Sequence, residues 1–157
     1  MCKRIAMVVM LLLMLAGALG AAGARANATT ASSDFSRKAD AICARAFAQK
    51  KALKYVPPAD PRAMARTAAN GAKWLASDTA AYKALKVLAA PADQAADYKV
   101  MLGKRQGAIA ALAQAAKAAK AGSRATFSTL FLKSATLAGG SGLRAWAMGL
   151  KSCQKWF

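Results

Sequence analysis

The sequence predicts an all-α fold: a four-helix bundle with a possible short fifth helix at its C-terminal end, closed by one disulfide and preceded by a signal peptide. Three observations lead there. Alanine fills 44 of 157 positions, and it has the highest helix propensity of any residue. Apolar side chains recur at three- and four-residue spacing through four separate stretches, which marks helices that bury one face. Beyond residue 28, Val occurs only at Val56, Val87 and Val100, and no stretch sustains an alternation of Val, Ile or Thr, so a sheet has no candidate strands.

The first 28 residues read as an address. Lys3 and Arg4 precede an unbroken apolar run from Ile5 to Leu19, and small residues then lead to Ala26-Asn27-Ala28. That order is the pattern of a secretory signal peptide, with cleavage expected after Ala28 and Ala24-Arg25-Ala26 as a second site. The expected organisation is a signal peptide over 1–28 and a helical bundle domain over 29–157. An uncleaved anchor is the alternative, because Ile5 to Ala24 supplies 20 apolar or small residues, about the length that spans a bilayer. The stretch fades into Gly and Ala after Leu19, which favours cleavage. Lys3 and Arg4 place the remainder outside the cytosol in either case. Cys2 lies before the apolar run, so lipid attachment at a Cys is not expected.

The helices follow in order. Ser32 or Ser33 can cap a first helix from near Asp34, with Phe35, Ala39, Ile42, Ala46 and Leu53 on one face and Cys43 and Phe47 widening it. Pro57-Pro58 ends it, since the residue before a proline is pushed out of the helical region. Asp60-Pro61 starts the second, Asp as N-cap and Pro at the first helical position. Its stripe runs through Met64, Ala68, Gly71, Leu75, Tyr82 and Leu85 to Leu88. Pro91 closes that helix and opens a third, with Asp93 and Asp97 in the early turns, Tyr98, Leu102, Ile109, Leu112 and Ala116 facing inward, and Gly122 as the stop. Ser123 caps a fourth, carrying Phe127, Leu130, Phe131, Ala135 and Ala138; Gly139, Gly140 and Gly142 are expected to interrupt it. Leu143 to Met148 then suggests the short fifth helix, ended by Gly149.

Removing the leader leaves two cysteines, Cys43 and Cys153, one near each end of the mature chain. An even pair in an oxidising compartment is expected to be bonded. Closing 110 residues of chain stabilises by about 4 to 5 kcal/mol in the chain-entropy account. Neither belongs to a Cys-x-x-Cys pair, so a thioredoxin-like role has no support.

Ala39-Asp40-Ala41-Ile42-Cys43-Ala44-Arg45-Ala46 and Gly149-Leu150-Lys151-Ser152-Cys153 resemble segments of a group of small exported proteins from high-GC actinobacteria. Those pair an early Ala-Asp-x-Ile-Cys with a late Gly-Leu-x-x-Cys. The Pro-terminated helices and the Tyr82 and Tyr98 regions fit the same group. The resemblance implies a disulfide-closed helical bundle outside the cytoplasm and brings no activity with it. This chain departs from the group in its lack of Glu, its basicity and the extension from Gln154 to Phe157.

The charge balance narrows function further. The chain has 24 Lys and Arg against 6 acidic residues, all Asp, and no His, for a net charge of +18. Loss of Lys3, Arg4 and Arg25 with the leader gives 21 − 6, or +15. His-based catalysis, haem ligation and most transition-metal sites are excluded. Asp93 and Asp97 are explained by the positive end of a helix rather than by acid–base work. Ser152-Cys153-Gln154-Lys155 spells Ser-x-x-Lys without its companion motifs, and Gly139-Gly140-Ser141-Gly142 follows no strand and lacks a phosphate-binding Lys, so it reads as a turn. Six scattered Asp do not make a hard-metal site. No catalytic residue, cofactor or metal is expected, and the disulfide pair Cys43 and Cys153 is the one assigned site.

The basic surface suits anionic envelope polymers or lipid headgroups; nucleic acid is physically admissible, but no motif points to it. The tract Ala115 to Ala121, with Lys117 and Lys120, reads as the solvated end of a helix. Trp74 and Trp146 are expected to be buried, while Trp156-Phe157 either packs over the bridge or touches a membrane interface. Phe35, Phe47, Phe127 and Phe131 are expected in the core. The expectation is a secreted, non-enzymatic protein that associates with anionic surfaces. The alternative is a carrier holding a small apolar ligand among Phe35, Phe127, Phe131 and Tyr82, which requires an interior cavity of roughly a few hundred Å³. Clustering of the basic residues on one side would indicate recognition, and an even spread solubility.

Overall fold

The computed structural model describes residues 32–53 and 61–155. The chain divides into two units, Met1–Asp34 and Phe35–Phe157, and the account below concerns the second together with residues 32–34. The expected signal peptide and its cleavage site, the Pro57-Pro58 stop, the Asp60 cap and Trp156-Phe157 lie outside the described residues.

Five helices and no strand occur among the described residues: α1 (32–51), α2 (Pro61–Lys86), α3 (Ala95–Lys120), α4 (Arg124–Ala147) and the single turn α5 (Lys151–Gln154). The expected all-α bundle with a short C-terminal helix is therefore the architecture observed. α3 packs most extensively on α4, α2 lies against α3, and α5 against α4. Small side chains along the α3–α4 seam let the backbones come close. Ser134 Oγ donates to the Ala108 carbonyl at 2.8 Å and Ser141 Oγ to the Met101 carbonyl at 3.1 Å, so the hydroxyls buried there are satisfied by the neighbouring helix.

Two glycines end helices by the same geometry. Gly122 and Gly149 have φ of +71° and +74°, the left-handed region that glycine enters without a Cβ penalty. The Gly122 and Ser123 amides donate to the Ala119 and Ala118 carbonyls, and those of Gly149 and Leu150 to Trp146 and Ala145, at 2.9–3.1 Å. This is the Schellman pattern, which satisfies the last carbonyls of a helix and turns the chain sharply.

The interior falls into two clusters. One gathers Phe35, Ala39, Cys43, Leu85, Tyr98, Met101, Ala145, Leu150 and Cys153; the other Met64, Ala68, Ala115, Ala118, Ala119 and Phe127, with Leu130 and Phe131 against it. Ala115, Ala118 and Ala119 are buried while Lys117 and Lys120 are exposed, so the lysine–alanine tract is the two-sided end of α3.

Several boundaries and faces differ from the sequence expectation, each for a physical reason. Residues 32–34 are already helical, and α1 stops at 51, where the Leu53 amide bonds the Lys50 carbonyl at 2.9 Å. α3 begins at Ala95 rather than Pro91, because a turn in which the Gln94 amide donates to the Pro91 carbonyl at 2.9 Å intervenes. Asp93 consequently precedes α3, and Asp97 alone occupies its first turn. Ser123 sits at the N-cap of α4, but its Oγ donates to Thr126 Oγ1 at 2.8 Å instead of capping an amide. Gly139 to Gly142 form no turn: α4 runs through them, since packing on α3 outweighs the low propensity of glycine. Leu143 to Ala147 thus belong to α4, and the fifth helix is the later turn Lys151–Gln154. Trp146 is 65% exposed, not core.

Candidate functional site

Cys43 on α1 and Cys153 on α5 form the expected disulfide, S–S 2.02 Å and Cα–Cα 4.8 Å. A four-residue helix cannot hold itself together in water. What seats α5 is the bridge together with Asp40, one turn before Cys43, whose Oδ1 accepts from the Ser152 amide at 2.9 Å and the Cys153 amide at 3.4 Å. Asp40 thus does from another helix what an N-cap side chain does locally. Leu150, fully buried, sits just before these amides. The two Cys-containing segments form one latch: Gly149 turns the chain, Leu150 anchors it, Asp40 caps it and the sulfurs lock it. Beneath it Phe35 meets the Tyr98 ring edge-on at 5.0 Å. The Tyr98 hydroxyl donates to the Leu85 carbonyl at 2.7 Å, and burial pushes its phenol well above the ordinary range. Sequence reading found the sulfurs and missed the cap, because an Asp inside a helix carries no sign of a distant amide.

One heptad further along α1, α2 and α3, three charged residues turn inward. Lys50 Nζ lies 3.3 Å and 3.4 Å from the two carboxylate oxygens of Asp78, and 5.8 Å from the centre of the Trp74 ring. Arg105 is 1% exposed. Burial pushes the Lys50 ammonium below its ordinary range; the Arg105 charge adds to this and Asp78 opposes it. Burial likewise lowers the Arg105 guanidinium to about 10, again opposed by Asp78. Lys50 and Arg105 thus both act on the Asp78 carboxylate inside the bundle. A rule of thumb that puts charges on the surface concealed this cluster, although the register was visible. Lys50 is seven residues after Cys43, Asp78 is midway between Gly71 and Leu85, and Arg105 is midway between Tyr98 and Leu112.

A buried amine held below its ordinary pKa is a potential nucleophile, but it needs space for a substrate. The adjacent niche, lined by Thr67, Asn70, Gly71, Trp74, Leu112 and Phe127 among others, has a volume of about 10 Å³, which at most admits one water. The Lys50–Asp78 pair ties α1 to α2, and Arg105 of α3 acts on the same carboxylate. Nor does the structure bring together the four aromatics of the carrier alternative. Phe35 belongs to the latch end. Phe127 and Phe131 stack at 5.5 Å in the other cluster, with Trp74 6.2 Å from Phe131. Tyr82 donates to Gln106 Oε1 at 3.2 Å near the surface. Two larger hollows among the described residues, one of them of about 280 Å³ between Ile42 and Arg45 on α1 and Ser77 and Ala84 on α2, open to solvent.

Exposed cations occur on every helix: Arg37 and Arg45 on α1, Lys73 and Lys83 on α2, Lys99 and Lys117 on α3, Lys133 and Arg144 on α4, Lys151 on α5. Charge is spread, and by itself it defines no site. Asp97 pairs with Arg144 at 2.8 Å, both exposed, a pairing worth little in water. Ser152, which the Ser-x-x-Lys spelling singled out, has its amide in the latch. Among the described residues no group of three or more His, Cys, Asp or Glu is placed to hold a metal ion, and no helix is long and apolar enough to cross a membrane.

Fold and site together define a small basic helical bundle whose last turn is latched to its first helix by a disulfide. No protein-family model matches the chain, and neither does any curated protein or solved structure.

Proposed function

We propose that the protein is exported, loses residues 1–28, and works outside the cytosol by weak, salt-sensitive binding to anionic envelope surfaces rather than by catalysis. The observation that carries this reading is the charge: +18 over 157 residues, and 21 − 6, or +15, once residues 1–28 are lost, with exposed cations on each of the five described helices. A field of that sign attracts polyanions and releases their counterions without needing a shaped pocket. The bonded Cys43 and Cys153 support the location, because disulfides persist in oxidising compartments. The resemblance of the two Cys segments to small exported actinobacterial proteins points the same way.

The test is retention on an anionic resin and on anionic vesicles across a salt series. Binding is expected to fall steeply between about 50 and 200 mM salt as the charges are screened; retention that ignores salt overturns the proposal.

A further inference from the structure

Because the cations are spread over every helix, they cannot say which side of the protein meets an anionic surface. The apolar surface can. On the outward face of α4, Leu132 is 67% exposed, Leu143 71% and Trp146 65%. With Ala135 and Gly139 between them they follow spacings of three, four, four and three residues, so all five lie along one strip. The strip covers 14 residues of helical rise, about 21 Å, and contains no charge; Thr136 lies at its margin. The buried residues of α4, among them Phe127, Ser134, Ala138, Ser141 and Ala145, lie on a different side of the helix. α4 thus carries a second apolar side, and that side faces water.

Cations flank this strip on one side. Lys133 and Arg144 directly follow Leu132 and Leu143, about 100° round α4 from them, and Lys104 of α3 lies across Gly140, where its side chain comes within 3.2 Å of the position a β-carbon would take. An apolar centre carrying an exposed Trp and edged by Lys and Arg is the make-up of a helix that lies in a membrane interface. A dissolved polyanion gives Leu143 and Trp146 nothing to enter. A second copy of the protein without residues 1–28 would bring +15, from 21 − 6, against +15 and set the edge cations against one another, over a strip far smaller than the roughly 20–30 residues a side of a stable interface.

We infer that the outward face of α4 seats the protein on an anionic lipid bilayer, with Leu132, Leu143 and Trp146 entering the headgroup–acyl boundary and Lys104, Lys133 and Arg144 meeting lipid phosphates. This rests on the proposed affinity for anionic surfaces and adds the lipid and the face. Arg144 exchanges its exposed partner Asp97 for phosphate at little cost.

The experiment uses protein isolated from cells expressing the full chain, and vesicles of equal phosphatidylglycerol and phosphatidylcholine beside pure phosphatidylcholine. Gly139→Leu is the decisive variant, because a β-carbon at 139 meets nothing within 4 Å and Leu is the better helix former, so the fold survives while the strip gains an anchor. It is expected to tighten binding to the mixed vesicles by about fivefold or more. Leu132→Ser with Leu143→Ser is expected to weaken it by about tenfold at unchanged helicity. Lipids brominated in the acyl chain should quench the wild type more than Trp146→Phe.

The outcomes separate the two ideas. If the wild type binds the mixed vesicles in a salt-sensitive way but the face variants and the quenching do not differ, the affinity stands and the face is wrong. Retention on an anionic resin without vesicle binding likewise overturns the lipid inference alone, whereas binding to neither sinks both. Dimers of Gly139→Leu without lipid, seen by sedimentation, would make the strip a contact between copies and overturn the inference.

Discussion

The two ends of the bundle are held by different means. At the latch end, Phe35, Tyr98, Leu85, Met101 and Leu150 surround a disulfide and a carboxylate cap. At the other, Met64, Ala68, Ala115, Ala118 and Ala119 close under Phe127, with Phe131 and Leu130 beside it. Alanines allow close approach but bury little area each, so that end relies on few large side chains. The latch end has the harder task of fixing a four-residue helix, and covalent bonding does there what length cannot. The lesson is that an alanine-rich chain concentrates its specific interactions where an element is too short to hold itself. Between the ends, the Lys50–Asp78 pair ties α1 to α2, and Arg105 of α3 acts on the same carboxylate.

Breaking the latch should have the largest effect. Cys43→Ser with Cys153→Ser is expected to destabilise by about 4 kcal/mol, read by denaturant unfolding, with amides of α5 and of Leu150 losing hydrogen-exchange protection first. Equal stability of the reduced and oxidised forms would erase the distinction between the ends. Next comes Phe127→Ala at the other end, expected to cost about 3 kcal/mol, since the neighbouring alanines cannot fill its place. A loss below about 1 kcal/mol would mean that the alanine end is not held by this ring.

The ionic cluster sharpens the comparison by its asymmetry. Asp78→Asn removes a carboxylate that acts on Lys50 and Arg105, both buried, and is expected to cost about 3 kcal/mol, whereas Lys50→Met keeps Asp78 acting on Arg105 and should be close to neutral or slightly stabilising. pH gives an independent check. The folded pKa of Lys50 is lowered from 10.5, chiefly by burial. Between that lowered value and 10.5 the unfolded state holds the extra proton, so the Lys50 contribution to stability rises with pH. Below the window the buried charge exerts its full cost. The stability advantage of Lys50→Met over wild type should therefore shrink as pH climbs toward 10.5; a constant difference would contradict the buried-cation account. Tyr98 acts in both proteins alike and in the opposite sense: its raised phenol pKa means that stability is lost above about pH 10, where the unfolded phenol ionises. Among the destabilising changes the smallest is expected for Asp40→Ala, about 1 kcal/mol as for a lost helix cap, measured by the same unfolding.

Much of the fold was legible in the sequence because the rules involved are local. Alanine content, Pro61 at a helix start and Gly122 and Gly149 at helix ends act within a turn of where they stand. The disulfide was legible from compartment logic. What escaped depends on contacts distant in the chain: Asp40 reaching amides 112 and 113 positions away, and Arg105 taking an inner position beside Met101 and Ala108, which rotates the buried face of α3. The run from Gly139 to Gly142 misled for the same reason, since propensity favoured a break and packing on α3 prevented it. Trp146 carries no sequence sign of exposure, since burial is the default for a Trp, yet the apolar residues around it divide between two faces of α4.

The proposed export underlies both the latch and the proposed surface, and it can be tested in one step. Protein isolated from cells without reductant is denatured, treated with an alkylating reagent and weighed intact. The account predicts a mass beginning at Thr29 with no alkyl group attached. A chain that retains Met1 to Ala28 with alkylated sulfurs at Cys43 and Cys153 would contradict it.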